Sequence, residues 1–224
     1  MDFVEHVAKS IFAEHGITTP TGRVVTTSDE LASLELTAPV AVKAQVPAGG
    51  RGKAGGVVLA AAADAPQIAG NLLHSQLGDH TVEAVLIEDQ IDIAREYYAS
   101  IVIDGSVGGP VLVFSTHGGV DIEEQGSDAV HHLPLTPGTR PTPSELGDFL
   151  VEAGCPDPVS SVGDVLRRMY DVYAATDAEL VEINPLAVTS AGEVIAVDAK
   201  LSIDDSAADR RPELAALALS LIHI

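Results

Sequence analysis

Ala48-Gly49-Gly50-Arg51-Gly52-Lys53-Ala54-Gly55-Gly56 is the stretch on which the fold turns, framed by the β-rich run Pro39 to Val46 before it and Val57-Val58-Leu59 after it. Its five glycines let the backbone come close to a ligand, and Arg51 and Lys53 supply positive charge. The chain has 12 Lys and Arg against 33 Asp and Glu, a net charge of -21, so two cations inside one glycine run form a notable local concentration. Glycine-rich backbone with cations suits phosphates. The expected arrangement is a glycine loop joining two strands.

Three familiar loops resemble this one. A Walker A loop needs a hydroxyl residue after Gly-Lys, but Ala54 follows Gly52-Lys53 and Pro47 occupies the position of the first glycine. Gly50, Gly52 and Gly55 satisfy a dinucleotide pattern, although Val57 to Leu59 reads as strand and Asp64 comes too early for a ribose acid, so that reading stays a minor alternative. A protein kinase is excluded: Val40-Ala41-Val42-Lys43 precedes the glycines instead of following them, and neither His-Arg-Asp nor Asp-Phe-Gly occurs. What fits is a nucleotide site in which a strand lysine comes first. Strand alternation puts Lys43 on one face with Ala41 and Gln45, able to point into a cleft.

A second constellation is Leu180-Val181-Glu182-Ile183-Asn184-Pro185-Leu186 with Val197-Asp198-Ala199-Lys200. If Ser190-Ala191-Gly192 is a three-residue hairpin loop with Gly192 in the left-handed region, paired residues sum to 382 and Asn184 faces Asp198. An amide oxygen and a carboxylate then converge, the hard donors Mg²⁺ takes, with Glu182 two residues away on the same face. A third segment, Glu88 to Glu96, is expected as a loop between two strands, where a strand edge could bind a base and a carboxylate a ribose. His117, His131 and His132 lack ligand spacing and receive no role.

Composition narrows the class. The acidity opposes a nucleic-acid partner, the single Cys155 excludes an intrachain disulfide, and no long apolar run or signal-like start is present, so a cytoplasmic enzyme is expected with no membrane partner. Periodicity predicts helices at 3–15, after Ser28, after Asp64 with Gly78 as its stop, and at about 144–153 and 160–175. Strands are predicted at 24–27, 39–46, 57–59, 84–87, 97–103 and 111–114, with a hairpin of 180–188 and 193–201 and a proline-rich connection at 134–143. Their mixed order argues α+β.

Lys43 to Val46 with Ala48 to Val57, then Asp92 to Tyr98, Ser115 to Glu123, Glu182 to Leu186 and Asp198 to Leu201, together resemble the β subunit of succinyl-CoA synthetase. The resemblance implies an ATP-grasp fold, two α+β subdomains clasping a nucleotide: an ATP-grasp domain at 1–218 with a lid-like subdomain inserted at about 21–95. It further implies Lys43, Gly50, Arg51, Gly52 and Lys53 on the phosphates of ATP, Glu88 and Ile91 near the adenine, and Glu96 on the ribose. Asn184 and Asp198 would hold Mg²⁺, and Glu182 and Lys43 would be catalytic. The implied partner is an α subunit carrying a phosphohistidine and CoA, in a heterodimer or heterotetramer of an ADP-forming acid–CoA ligase. ATP is mildly preferred over GTP; malate in place of succinate, or a non-catalytic ATP-binding module, are the alternatives. His117 stands where the family usually has glutamate, and the family's chain continues into a second domain, so this chain is expected to be inactive alone. Residues 219–224 resemble a translated transposon end of the kind used in sequencing libraries and are expected to be a non-native tail.

Overall fold

A computed structural model describes residues 1–47, 50–119, 129–156, 158–207 and 209–220. Ala48 and Gly49 of the glycine stretch, the Val120 to Glu123 part of the Ser115 to Glu123 motif, and 221–224 of the expected tail lie outside the described residues. The chain divides into two compact units, one of Met1–Phe3, Val7–Thr19 and Asp92–His223, the other of Val4–His6 with Pro20–Ile91.

The smaller unit holds β1 (Gly22–Val25), α2 (Ser28–Ala32), β2 (Val40–Gln45), β3 (Val57–Ala60), α3 (Ala65–Leu72), β4 (Gln76–Leu77), β5 (His80–Thr81) and β6 (Ala84–Asp89). Four of these strands form an antiparallel sheet in the order β1-β6-β2-β3. Strand alternation sorts β2: Val40, Val42 and Ala44 enter an apolar cluster with Val85, Ile87, Ala65 and Ala69, and Ala41, Lys43 and Gln45 take the other face. Two expectations shift. The β1 strand stops at Val25 because Thr27, not Ser28, caps a helix of a single turn or so, in a capping box with Glu30. The α3 helix ends before His74, which adopts φ 63°, and Gly78 turns the β4–β5 hairpin instead of stopping the helix.

The larger unit contains a sheet in the order β11-β10-β7-β8-β9, with β12 also on β10. These strands are β7 (Ile93–Asp104), β8 (Gly109–Ser115), β9 (His131–Pro134), β10 (Ala178–Thr189), β11 (Val194–Ala196) and β12 (Lys200–Ile203). Helices α4 (Pro143–Glu152) and α5 (Val159–Thr176) pack together, and α5 lies against β7 and β10. The helix α1 (Glu5–Glu14) ends at Gly16, φ 80°, the left-handed stop its periodicity implies, and α6 (Pro212–Ser220) was not anticipated. Tyr97, Ala99 and Ile101 alternate into the core beside Leu112, Phe114, Val181 and Ile183. The Tyr97 and Phe114 rings lie 5.6 Å apart, and Phe114 meets Phe149 of α4 edge-on at 6.4 Å. The opposite face of β7 and β10 carries Tyr98, Ser100, Glu182 and Asn184; this is the face that matters chemically. Mixed helices and antiparallel sheets make the fold α+β, as the element order indicated.

Candidate functional site

In the smaller unit Lys43 is 3% exposed, far from the solvated lysine that a strand position permits. Its ammonium is 2.8 Å from Glu5 Oε1 and 2.8 Å from Glu88 Oε2. The Glu5 carboxylate reaches a second cation through Oε2, 3.0 Å from the Arg51 guanidinium. Two cations and two carboxylates thus form a neutral, nearly dry quartet, the condition under which buried charge is tolerated. Gln45 Nε2 donates to the Lys43 carbonyl at 3.2 Å, and Gln45 Oε1 accepts from His6 N at 2.9 Å. Because that oxygen can only accept, the His6 Nδ1 facing it at 3.1 Å carries a proton. Burial holds the His6 pKa below its ordinary value, against the upward pull of the Gln45 hydrogen bond and the Glu5 charge.

Glu88 corrects the expectation of an open segment from 88 to 96. It lies inside β6, 2% exposed, on the face it shares with Lys43, and only Gln90 to Asp92 separate β6 from β7. Opposite it on β1 stands Gly22, where an added Cβ would come within 2.7 Å of Glu88 Cγ; the glycine gives the carboxylate its room. Ile91 is half-buried in the short connection.

The glycine loop turns on itself: Gly56 N donates to Arg51 O at 2.8 Å, Ala54 N to Gly50 O at 3.1 Å and Gly55 N to Gly52 O at 3.2 Å. Gly50 and Gly55 have φ of 73° and 80°, so both need glycine for the backbone itself. The two loop cations separate. Arg51 turns inward, donating to Ala44 O at 3.2 Å besides its pair with Glu5, whereas Lys53 is exposed beside exposed Gly50 and Gly52.

In the larger unit, the hairpin arithmetic holds. Leu186 pairs with Ala196 and Val188 with Val194, Gly192 has φ 84°, and beyond an interruption Glu182 pairs with Lys200 and Val181 with Leu201 in the same register. Asn184 and Asp198 therefore occupy facing positions in the gap between β11 and β12, both half-buried, at a point where the Asn184–Pro185 peptide is cis. Glu182, two residues back, accepts a hydrogen bond from the Tyr98 hydroxyl at 3.0 Å. Asp198 Oδ1 accepts from Ala199 N at 2.7 Å. An amide oxygen and a carboxylate at adjoining positions form a hard-donor set suited to Mg²⁺.

The Asn184 amide is also engaged locally. Gly119 N donates to Asn184 Oδ1 at 2.6 Å, and Asn184 Nδ2 donates to Gly119 O at 3.0 Å. Gly118 N in turn donates to Glu96 O at 3.0 Å, joining the segment after β8 to β7; the Glu96 side chain is exposed. Sequence reading missed Glu5 and this glycine pair. Glu5 starts α1 beside Phe3, Val4 and Val7, all buried, yet in sequence a glutamate there reads like one on a solvated face. No helix of the described residues is long and apolar enough to cross a membrane.

A family model for the ATP-grasp domain matches residues 2–188. Among curated proteins, the chain is 40% identical to a protein of Halorubrum lacusprofundi named succinate–CoA ligase [ADP-forming] subunit beta, over 97% of this chain and 59% of that protein. It is likewise 40% identical to the Thermus thermophilus protein named succinate–CoA ligase [GDP-forming] subunit beta, over 97% of this chain and 59% of that one. The chain thus spans about three fifths of the length of the relatives it matches. A solved structure of dinucleotide-forming acetyl-coenzyme A synthetase 1 of Ca. Korarchaeum cryptofilum, in complex with coenzyme A and Ca-AMPCP among others, superposes with a TM-score of 0.73 at 16% identity, covering 91% of this chain and 93% of that one. A second structure of that protein, in complex with coenzyme A and Mg-AMPPCP with its phosphohistidine segment pointing towards the nucleotide binding site, gives a TM-score of 0.66 at 17% identity, covering 91% and 93%. At such identity the likeness is one of fold.

Proposed function

Because the chain belongs to the ATP-grasp domain family, whose model covers residues 2–188, we propose that it is the nucleotide-binding part of the β subunit of an ADP-forming succinate–CoA ligase. The observation that carries this reading is 40% identity, over 97% of the chain, to a protein named as the ADP-forming β subunit, with the same identity and coverage to one named as GDP-forming. Lys43, Gly50, Arg51, Gly52 and Lys53 serve the phosphates of ATP. Lys43 and Arg51 start from carboxylate partners, so a phosphate must offer them better pairing than Glu5 and Glu88 do. Lys53, exposed at the turn, is suited to first contact. Glu88 and Ile91 stand for the adenine side and Glu96 for the ribose. The curated relatives carry both ADP-forming and GDP-forming names, so choice of base is a separate experiment from choice of phosphate.

Asn184 and Asp198 would hold Mg²⁺, which when bound neutralises phosphate charge and favours transfer of the terminal phosphoryl group. Glu182, its carboxylate steadied by Tyr98, is the residue that would meet the phosphohistidine of an α subunit. Succinate and CoA would be handled by the partner and by the remainder of a full-length β chain. The test is equilibrium binding: ATP titrated with Mg²⁺ into the chain should bind, and Asp198→Ala should remove the magnesium dependence. Binding that does not respond to magnesium or to that substitution would leave only a non-catalytic nucleotide module.

A further inference from the structure

The residue type at position 184 is unexpected for a cation site in isolation, since a carboxylate would bring a full negative charge where an amide brings a dipole. Its surroundings supply a reason. Gly119 presents both an N–H and a C=O to this one side chain, and Asn184 satisfies both, accepting at 2.6 Å and donating at 3.0 Å. Only a terminal amide offers an acceptor and a donor side by side; a carboxylate would set a second acceptor against the Gly119 carbonyl.

Space dictates the first of the two glycines that make this pairing reachable, and backbone conformation the second. A Cβ on Gly118 would lie 2.5 Å from Tyr97 O and 2.6 Å from Tyr97 C, backbone atoms of a central strand that cannot yield. Gly119 has φ 99°, and its Cβ would stand 2.9 Å from Glu96 Oε2. Gly118 therefore lies directly on β7, tied by its N–H to Glu96 O at 3.0 Å, and Gly119 follows it against Asn184.

We propose that Gly118 and Gly119 are positioning residues that lock the Asn184 amide in one orientation, with its oxygen set for the cation, and that this lock is why position 184 holds an amide. This rests on the reading of Asn184 as a magnesium ligand, and two measurements keep the two apart. The first is amide exchange in the ligand-free chain: Gly119 N–H is protected in the unaltered chain and loses that protection in Asn184→Ala. Equal exchange in both would overturn the lock whatever the chain binds. The second is Mn²⁺ binding in the presence of ADP, followed by electron paramagnetic resonance, for the unaltered chain and Asn184→Asp. Charge alone would make the aspartate bind more tightly; the lock predicts binding roughly tenfold weaker or worse, the range seen when a ligand loses its supporting shell. Equal or tighter binding by Asn184→Asp overturns the proposal while leaving the magnesium reading intact. An unaltered chain that protects Gly119 but binds no Mn²⁺ with ADP overturns the magnesium reading, and the positioning role with it.

Discussion

Replacing Glu5 with Gln should be one of the most destabilising single changes available in the smaller unit. The carboxylate side chain is 0% exposed and holds two cations at once, Lys43 at 2.8 Å and Arg51 at 3.0 Å, whose side chains are 4% and 8% exposed. Removing its charge converts a neutral quartet into one with an excess positive charge, which nearby water cannot screen. Losing one partner of a buried pair costs about 3–5 kcal/mol; Gln keeps an acceptor oxygen, so about 3 kcal/mol is expected. Urea unfolding at neutral pH measures this directly, with exchange of the β2 amides locating the loss in the smaller unit. The double substitution Glu5→Gln with Lys43→Met, which restores neutrality, should recover part of the loss and give a coupling of at least about 1 kcal/mol. A cost under about 1 kcal/mol for Glu5→Gln, with no coupling to Lys43, would refute the reasoning and mean that the quartet is effectively solvated.

Other outcomes follow from the same geometry. Burial lowers the His6 pKa, so between its ordinary value and the lower folded one the unfolded chain takes up a proton that the folded chain refuses. Its contribution to stability is present above about pH 6.5 and is lost as pH falls through that window; in His6→Asn the drop in urea midpoint between about pH 7.5 and about pH 5.5 should be smaller. Gly22→Ala brings a Cβ to 2.7 Å from Glu88 Cγ and 3.0 Å from Ile87 O, and should cost about 1–3 kcal/mol by thermal or urea unfolding. Thr142→Ala removes the acceptor for Glu145 N at 3.2 Å in the capping box of α4, a loss of about 1 kcal/mol in the larger unit that leaves nucleotide binding unchanged.

Much of the site's local geometry was legible because it depends on short-range rules. The 382 register needed only a three-residue loop and a glycine in the left-handed region, and Gly192 supplies both; the same arithmetic carries across the interruption to Glu182 and Lys200. Alternation along β2 likewise put Lys43 opposite the core-facing valines. Long-range polar partners were not legible. A glutamate at an inward helical position looks in sequence like one on a solvated face, so the Glu5 contacts with Lys43 and Arg51, 38 and more residues away, left no local mark. The pairing of Gly119 with Asn184 spans 65 residues and is equally silent. Short elements failed for another reason: β9, β4 and β5 have two to four residues each, too few to show a period, and Thr27 displaced Ser28 as a cap because Glu30 lies three residues after it.

One binding experiment bears most directly on the proposed function: calorimetric titration of ATP, with and without Mg²⁺, into the unaltered chain, Lys43→Ala and Asp198→Ala. The expected result is a single magnesium-dependent binding event that each substitution weakens at least about tenfold, as the proposed function requires of a phosphate-binding lysine and of a magnesium ligand. ATP binding of unchanged affinity in both variants, indifferent to magnesium, would contradict it.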